Sequence, residues 1–134
     1  YALAGGVVGK TSGQALTVKG CVNYGSVEAN IITDNKLSGA GGIIGQPQKS
    51  VTLTNNTNYG PVTAYNTHTT GRAFAGGIFA TDGEKTTFNG ATSVTGNVNH
   101  GTITVNVPTP AENDGLVKKF PGAAAGGLFE GLCY

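Results

Sequence analysis

The chain has 134 residues and a formal net charge of +1; 23 residues are glycine and only 11% are charged. Soluble domains average about 7% glycine and about 25% charged residues, so this composition excludes a charged disordered tail and a Glu- and Lys-rich helical bundle. The chain also lacks the long basic run of a nucleic-acid-binding protein and the long apolar run of a membrane span. We therefore expect a single all-β domain covering residues 1–134, with no nucleic-acid partner and no membrane insertion.

Two short motifs recur in the same order along the chain. The first is Ala-Gly-Gly followed by two apolar residues, and it begins at Ala4, Ala40, Ala75 and Ala125. The second is Asn, then Tyr or His, then Gly, and it begins at Asn23, Asn58 and Asn99. Self-similarity at a nearly fixed period is the signature of stacked repeats. The pattern predicts repeat units at about 4–39, 40–74 and 75–122, with a partial unit at 123–134.

Each unit is predicted to contain three short strands, at 4–10, 15–22 and 26–31 in the first unit. Strands this short cannot bury a face alone, but stacking like on like gives a parallel β-helix with coils about 4.8 Å apart. Parallel crossovers are right-handed by default. We predict a short right-handed parallel β-helix (a β-solenoid) of about three and a third coils, with three strands per coil. The alternative architecture is a β-sandwich with internal duplication.

Residues 108–122 interrupt the repeat with three prolines. Proline at both ends of a segment marks an excursion from a regular coil. We predict an insertion loop at 108–122 with one helical turn at 112–119, and an enlarged third unit around 86–98.

Two apolar residues follow each Ala-Gly-Gly motif, and stacking aligns them into two ladders. One ladder comprises Val7, Ile43, Ile78 and Leu128, and the other comprises Val8, Ile44, Phe79 and Phe129. Successive residues of a strand point to opposite faces, so one ladder is predicted to line the core and the other to form an apolar outer stripe. Such a stripe is predicted to bind further copies of the chain, the alternative being that the insertion covers it.

The second motif predicts polar ladders at one corner of the coil. Asn23, Asn58 and Asn99 align, as do Cys21, Asn56 and Asn97 two residues earlier, and Tyr24, Tyr59 and His100 one residue later. Aligned amides are expected to stack as a hydrogen-bonded ladder that stabilises the corner. Asn55 begins an Asn-x-Thr sequon and is a candidate glycosylation site.

Cys21 and Cys133 are candidate partners in one disulfide of an oxidising compartment. They fall in the first and fourth coils, and three steps of about 4.8 Å exceed the limit of about 7 Å between bridged Cα atoms. A bridge within the chain, a bridge between chains and two free thiols all remain open.

The sequence contains no recognisable catalytic or metal-binding constellation. Its carboxylates do not recur beside one another at a shared repeat position, and its two histidines lack Cys or acidic partners at ligand spacing. We expect a non-enzymatic protein without catalytic residues, metal site or cofactor. Because the chain contains no methionine, we expect it to be processed from a longer precursor.

The motifs AGGVVG at Ala4 and CVNYGSV at Cys21 resemble the GLUG-type repeats and related AGGIVG and C-x-N-x-G-x-V β-solenoids of microbial cell-surface proteins. The resemblance covers most of the chain outside 108–122, although only the first unit keeps the Cys before the Asn. It implies a secreted β-solenoid used in adhesion or surface structure.

The chain starts and finishes on the first strand of a unit, so neither end shows a polar cap. We predict an extracellular structural protein whose copies associate end to end into a filament or surface assembly. The alternative is a monomeric adhesin module that binds a host protein or glycan.

Overall fold

The computed structural model describes residues 1–12, 14–32, 36–47, 50–68, 71–80, 93–107, 123–127 and 129–130, and within these ranges it contains β-strands and no helix. The first coil comprises β1 (Ala2–Gly5), β2 (Val8–Lys10), β3 (Leu16–Lys19), β4 (Val22–Asn23) and β5 (Val27–Ile31). The second comprises β6 (Leu37–Gly41), β7 (Ile44–Gln46), β8 (Val51–Thr54), β9 (Thr57–Asn58) and β10 (Val62–Asn66). The third comprises β11 (Arg72–Gly76), β12 (Phe79–Ala80), β13 (Ser93–Thr95), β14 (Val98–Asn99) and β15 (Ile103–Asn106). A fourth coil begins with β16 (Ala123–Gly126) and β17 (Phe129–Glu130).

Equivalent strands of successive coils pair in parallel and form five sheets. We name them sheet A (β1, β6, β11, β16), sheet B (β2, β7, β12, β17), sheet C (β3, β8, β13), sheet D (β4, β9, β14) and sheet E (β5, β10, β15). The register aligns the repeat motifs, since Ala4 pairs with Ala40 and Asn23 with Asn58. The predicted short parallel β-helix is confirmed. The three predicted strands of a unit are present, with the first divided into β1 and β2 and the second into β3 and β4.

Sheets A and B form an arch inside the coil. Every residue of β6 and β7 is buried, whereas β8 and β10 alternate between buried and half-buried residues. One face of sheet A packs on sheet E through small residues such as Ala40 and Ala64, and its other face meets sheet B, where Phe74 contacts Ala80. Sheet B packs its remaining face on sheet C. The layers therefore follow the order E, A, B, C, and only the two outer sheets alternate as half-exposed strands do.

Glycine makes the arch narrow enough to fit. A Cβ on Gly45 in sheet B would overlap the carbonyl oxygen of Gly9 and lie 2.5 Å from that of Ala4 in sheet A. At the tip of the arch, a Cβ on Gly42 would overlap the carbonyl oxygen of Gly77 and lie 2.5 Å from Cγ of Asn58. No side chain fits at either position without moving the backbone, which explains why glycine recurs there.

The predicted apolar outer stripe is wrong, because both apolar ladders enter the core in the second and third coils. In the second coil Ile43 and Ile44 are each 0% exposed and belong to the same cluster as Leu53 of sheet C. The physical reason is the bend at Gly42: the N–H groups of Ile43 and Ile44 both donate to the carbonyl of Ile78, at 2.9 Å each. The two residues therefore do not lie on one straight strand, and their side chains turn to the same side.

The third-coil members of the two ladders behave in the same way, whereas those of the first coil are less covered. Ile78 and Phe79 are buried in this core cluster, while Val8 is half-buried against it. Val7 is 46% exposed because it lies in the first coil of the stack. The backbone of Phe129 pairs with that of Phe79. Leu128, the side chain of Phe129, Cys133, the insertion at 108–122 with its helical turn, and residues 81–92 of the enlarged third unit lie outside the described residues.

Candidate functional site

The repeated Asn-x-Gly motif builds one corner of each coil. Oδ1 of Asn23 accepts the N–H of Gly25 at 3.2 Å, and its Nδ2 donates to the carbonyl of Gly25 at 2.8 Å, so the side chain closes its own turn. Asn99 and Gly101 make the same pair of bonds. Glycine is needed because a Cβ on Gly60 would overlap the carbonyl of Gly25 one coil below.

The three corner asparagines form a continuous amide ladder. Nδ2 of Asn23 donates to Oδ1 of Asn58 at 2.7 Å, and Nδ2 of Asn58 donates to Oδ1 of Asn99 at 2.8 Å. Asn58 is 0% exposed, so its polar atoms depend on these partners. The amides of Asn23 and Asn58 each donate to the next coil, and the ladder therefore has a direction.

A second ladder lies two residues earlier in each coil. The N–H of Cys21 donates to Oδ1 of Asn56 at 2.9 Å, and the N–H of Asn56 donates to Oδ1 of Asn97 at 3.0 Å. Nδ2 of the buried Asn56 also donates to Oδ1 of Asn97, at 2.8 Å, and to the carbonyl of Val18, at 2.9 Å. Cys21 occupies the position of the asparagine in the first coil and has no amide to offer.

Aromatic rings follow the corner on the surface. The rings of Tyr24 and Tyr59 stack with centroids 5.1 Å apart, and those of Tyr59 and His100 with centroids 4.9 Å apart. Tyr24 is 75% exposed. Because neighbours cover both faces of the Tyr59 ring, only the outer faces of Tyr24 and His100 are open to a ligand or a further ring.

Both ends of sheet D are open to solvent. Val22 in the first coil is 47% exposed and Val98 in the third coil is 42% exposed. In sheets C and E the third coil is also less covered than the second: Val94 and Ile103 are half-buried, whereas Leu53 is fully buried. Within the described residues, the edge formed by β13, β14 and β15 carries no charged residue and no proline among its strands, so it lacks these two protections against strand addition.

The remaining candidate residues lie near this corner. Cys21 is a half-buried free thiol within the described part of the chain, and its Sγ lies 3.8 Å from the carbonyl of Lys19. Asn55 is exposed and has a positive φ of 55° in the turn after β8. Its glycosylation stays a prediction.

The described residues contain no group of three or more His, Cys, Asp or Glu side chains placed to bind a metal ion. They also include no helix with the length and hydropathy needed to cross a bilayer. The contacts shown at the corner are hydrogen bonds, stacked rings and paired strands.

No family model, no curated protein and no solved structure matches the chain. The resemblance to GLUG-type repeats stays a prediction that rests on the motifs themselves.

Proposed function

We propose that this chain is a non-enzymatic structural protein of the cell surface whose copies associate end to end into a filament or surface assembly. The observation that carries the proposal is the contrast between the two ends of the stack and its middle. Some residues that are fully covered in the second coil have less covered counterparts in the first coil and, in sheets C, D and E, also in the third coil. The resemblance to surface β-solenoids supports an extracellular location.

Equivalent positions show the contrast directly. Ile43 is 0% exposed, whereas its counterpart Val7 in the first coil is 46% exposed. Asn58 is buried, whereas Asn23 and Asn99 at the two ends of its ladder are half-buried. Covering these positions with another coil buries apolar area and pairs open strand edges, and both effects favour association.

The side walls of the stack favour association much less. The outward positions of β8 and β10 in the second coil are Thr52, Thr54, Thr63 and Tyr65, which are half-buried and polar. The loss of the predicted outer stripe removes the argument for a lateral contact, and the proposal now depends on the ends alone.

The end at the fourth coil has a step. Within the described residues, β16 and β17 supply a fourth coil for sheets A and B, while sheets C, D and E end at the third. A neighbouring copy that follows the same axis must accommodate this step, which is one coil of about 4.8 Å.

The test compares charges placed at the ends with a charge placed on the wall. Val22→Lys and Val98→Lys put a charge on the open edges of sheet D, and Thr52→Lys puts one on the side wall of the second coil. We expect the parent chain and Thr52→Lys to form elongated assemblies in sedimentation velocity and electron microscopy, and the two edge variants to remain small. Far-ultraviolet circular dichroism checks that all four proteins are folded.

A parent chain that stays monomeric at micromolar concentration overturns this proposal and leaves the monomeric adhesin module. Assembly that Thr52→Lys blocks and the edge variants permit also overturns it, because the contact is then lateral.

A further inference from the structure

The open edge of sheet D presents main-chain acceptors in a fixed order. The N–H of Tyr59 donates to the carbonyl of Asn23 at 2.8 Å, and the N–H of His100 donates to the carbonyl of Asn58 at 2.7 Å. The carbonyl of Asn99 is the next acceptor of this series and belongs to the last coil of the sheet. A further parallel strand would continue the same pattern.

The amide ladder presents a donor at the same edge. Nδ2 of Asn58 makes two bonds, one to the carbonyl of its own turn at Gly60 and one to Oδ1 of Asn99, at 2.8 Å each. Nδ2 of Asn99 donates to the carbonyl of its own turn at Gly101, at 2.8 Å. By the same geometry its second proton is directed at the edge, where it fits an amide oxygen.

The second ladder ends on a main-chain donor. The N–H groups of Cys21 and Asn56 each donate to an amide oxygen one coil further along. The N–H of Asn97 is the next donor of this series. The edge therefore matches an asparagine side chain at this second position as well, two residues before the corner asparagine.

The aromatic ladder adds a flat surface beside these groups. One face of the His100 ring stacks on Tyr59 with an interplanar angle of 11°. The residue itself is exposed, which leaves its other face free for a further ring. The edge thus combines a main-chain acceptor, two amide-specific contacts and a ring platform, in the order set by one sequence motif.

We propose that the edge formed by β13, β14 and β15 binds an extended segment of a second chain that carries the same Asn-aromatic-Gly corner. The segment adds to sheets C, D and E as a fourth coil, beside the one that β16 and β17 already supply to sheets A and B. This inference rests on the proposed self-association and names the surface and the sequence through which copies join. In an intact second copy the matching segment is Leu16–Ile31. Strands β1 and β2 of that copy must be displaced, because β16 and β17 of the first copy already occupy the fourth coil of sheets A and B.

A peptide of Leu16–Ile31 tests the edge directly, because it lacks β1 and β2 and no strand has to be displaced. We expect the labelled peptide to bind the full chain by fluorescence anisotropy, with amide shifts in the NMR spectrum at Val98, His100 and Ile103 and none in β1 or β2. In the peptide, Asn23→Ala removes the amide oxygen that accepts a hydrogen bond from Nδ2 of Asn99. We expect this change to weaken binding about 3- to 10-fold, which corresponds to the loss of one hydrogen bond.

A second peptide variant is expected to bind more tightly. Cys21→Asn supplies the amide oxygen that the N–H of Asn97 fits, and we expect an affinity about 3- to 10-fold higher. The control is Asn30→Ala in the same peptide, which removes an amide that is exposed on β5 and is expected to leave binding unchanged. All three changes are made in the peptide, so the fold of the protein is not at risk.

The outcomes separate this inference from the proposed function. Absence of binding, equal affinity of the Asn23→Ala and parent peptides, or amide shifts confined to the first coil overturns the inference, even if the chain polymerises. Specific peptide binding by a chain that stays monomeric overturns the proposed assembly and leaves the strand-accepting edge established.

Discussion

Replacing Asn58 by alanine tests whether the amide ladder holds the coils together. Asn58 is 0% exposed, accepts one hydrogen bond from Asn23 and donates two, to the carbonyl of Gly60 and to Oδ1 of Asn99. A typical hydrogen bond contributes about 0.5 to 1.5 kcal/mol net, so the loss of three lowers the free energy of unfolding by about 2 to 4 kcal/mol. This is a large part of the stability of a small domain.

The assay is urea unfolding followed by far-ultraviolet circular dichroism, since the chain has no tryptophan. With a slope of about 2 kcal/mol per molar urea, the midpoint is expected to fall by about 1 to 2 M. Asn30→Ala is the matched control, because Asn30 is an exposed asparagine on β5, and its free energy of unfolding should change by no more than about 0.5 kcal/mol.

The double variant Asn58→Ala and Asn99→Ala adds a second check on the ladder. The two side chains share a hydrogen bond of 2.8 Å, so their combined effect is expected to be about 1 kcal/mol smaller than the sum of the single effects. The reasoning fails if Asn58→Ala is no more destabilising than Asn30→Ala, or if the two ladder substitutions simply add.

Five further substitutions probe the arch and the ring ladder. Gly42→Ala is expected to lower the free energy of unfolding by about 3 kcal/mol, because its Cβ would overlap backbone. Gly9→Ala is the control: its Cβ would meet only a carbonyl at 3.4 Å, so the free energy of unfolding should change by less than about 1 kcal/mol. Urea unfolding midpoints compare the two variants. Phe79→Ala is expected to lower the free energy of unfolding by about 3 to 5 kcal/mol, and Val7→Ala by about 1 kcal/mol or less. Thermal unfolding that ranks the two variants the other way would contradict the burial of this ladder in the core. His100→Tyr is expected to leave the free energy of unfolding unchanged or to raise it by up to about 1 kcal/mol, because tyrosine stacks on the Tyr59 ring. A clear loss of stability in urea unfolding would contradict this reasoning.

The repeat motifs predict the register and the corner because each acts through equivalent positions. Ala4 pairs with Ala40, and Asn23 bonds to Asn58, as alignment of like residues requires. The alternation of side chains along a strand is a poorer guide to which residues face the core, because it assumes a straight strand and the chain bends at Gly42. The two adjacent isoleucines beyond that bend therefore share a core instead of dividing between two faces.

Other features leave no trace in the repeat. Asn66 is buried, with Oδ1 accepting the N–H of His68 at 2.9 Å and Nδ2 donating to the carbonyl of Lys36 at 2.7 Å. Its partner in the first coil is Ile31, so alignment of the units gives no sign of a polar anchor at that position. The sequence also gives no sign of the open edge of the third coil, because β15 resembles β10 in sequence and only the stacking order distinguishes the two strands.

The internal arch restricts where this architecture can acquire new binding specificity. In each coil, the strands of sheets A and B have another sheet on both faces, so substitutions in them must preserve the packing of the core and do not reach a partner. Adaptive change is thus confined to sheets C and E, the corner and the connecting loops. Relatives that recognise different partners should therefore differ along those outer segments while sharing a glycine- and alanine-rich interior.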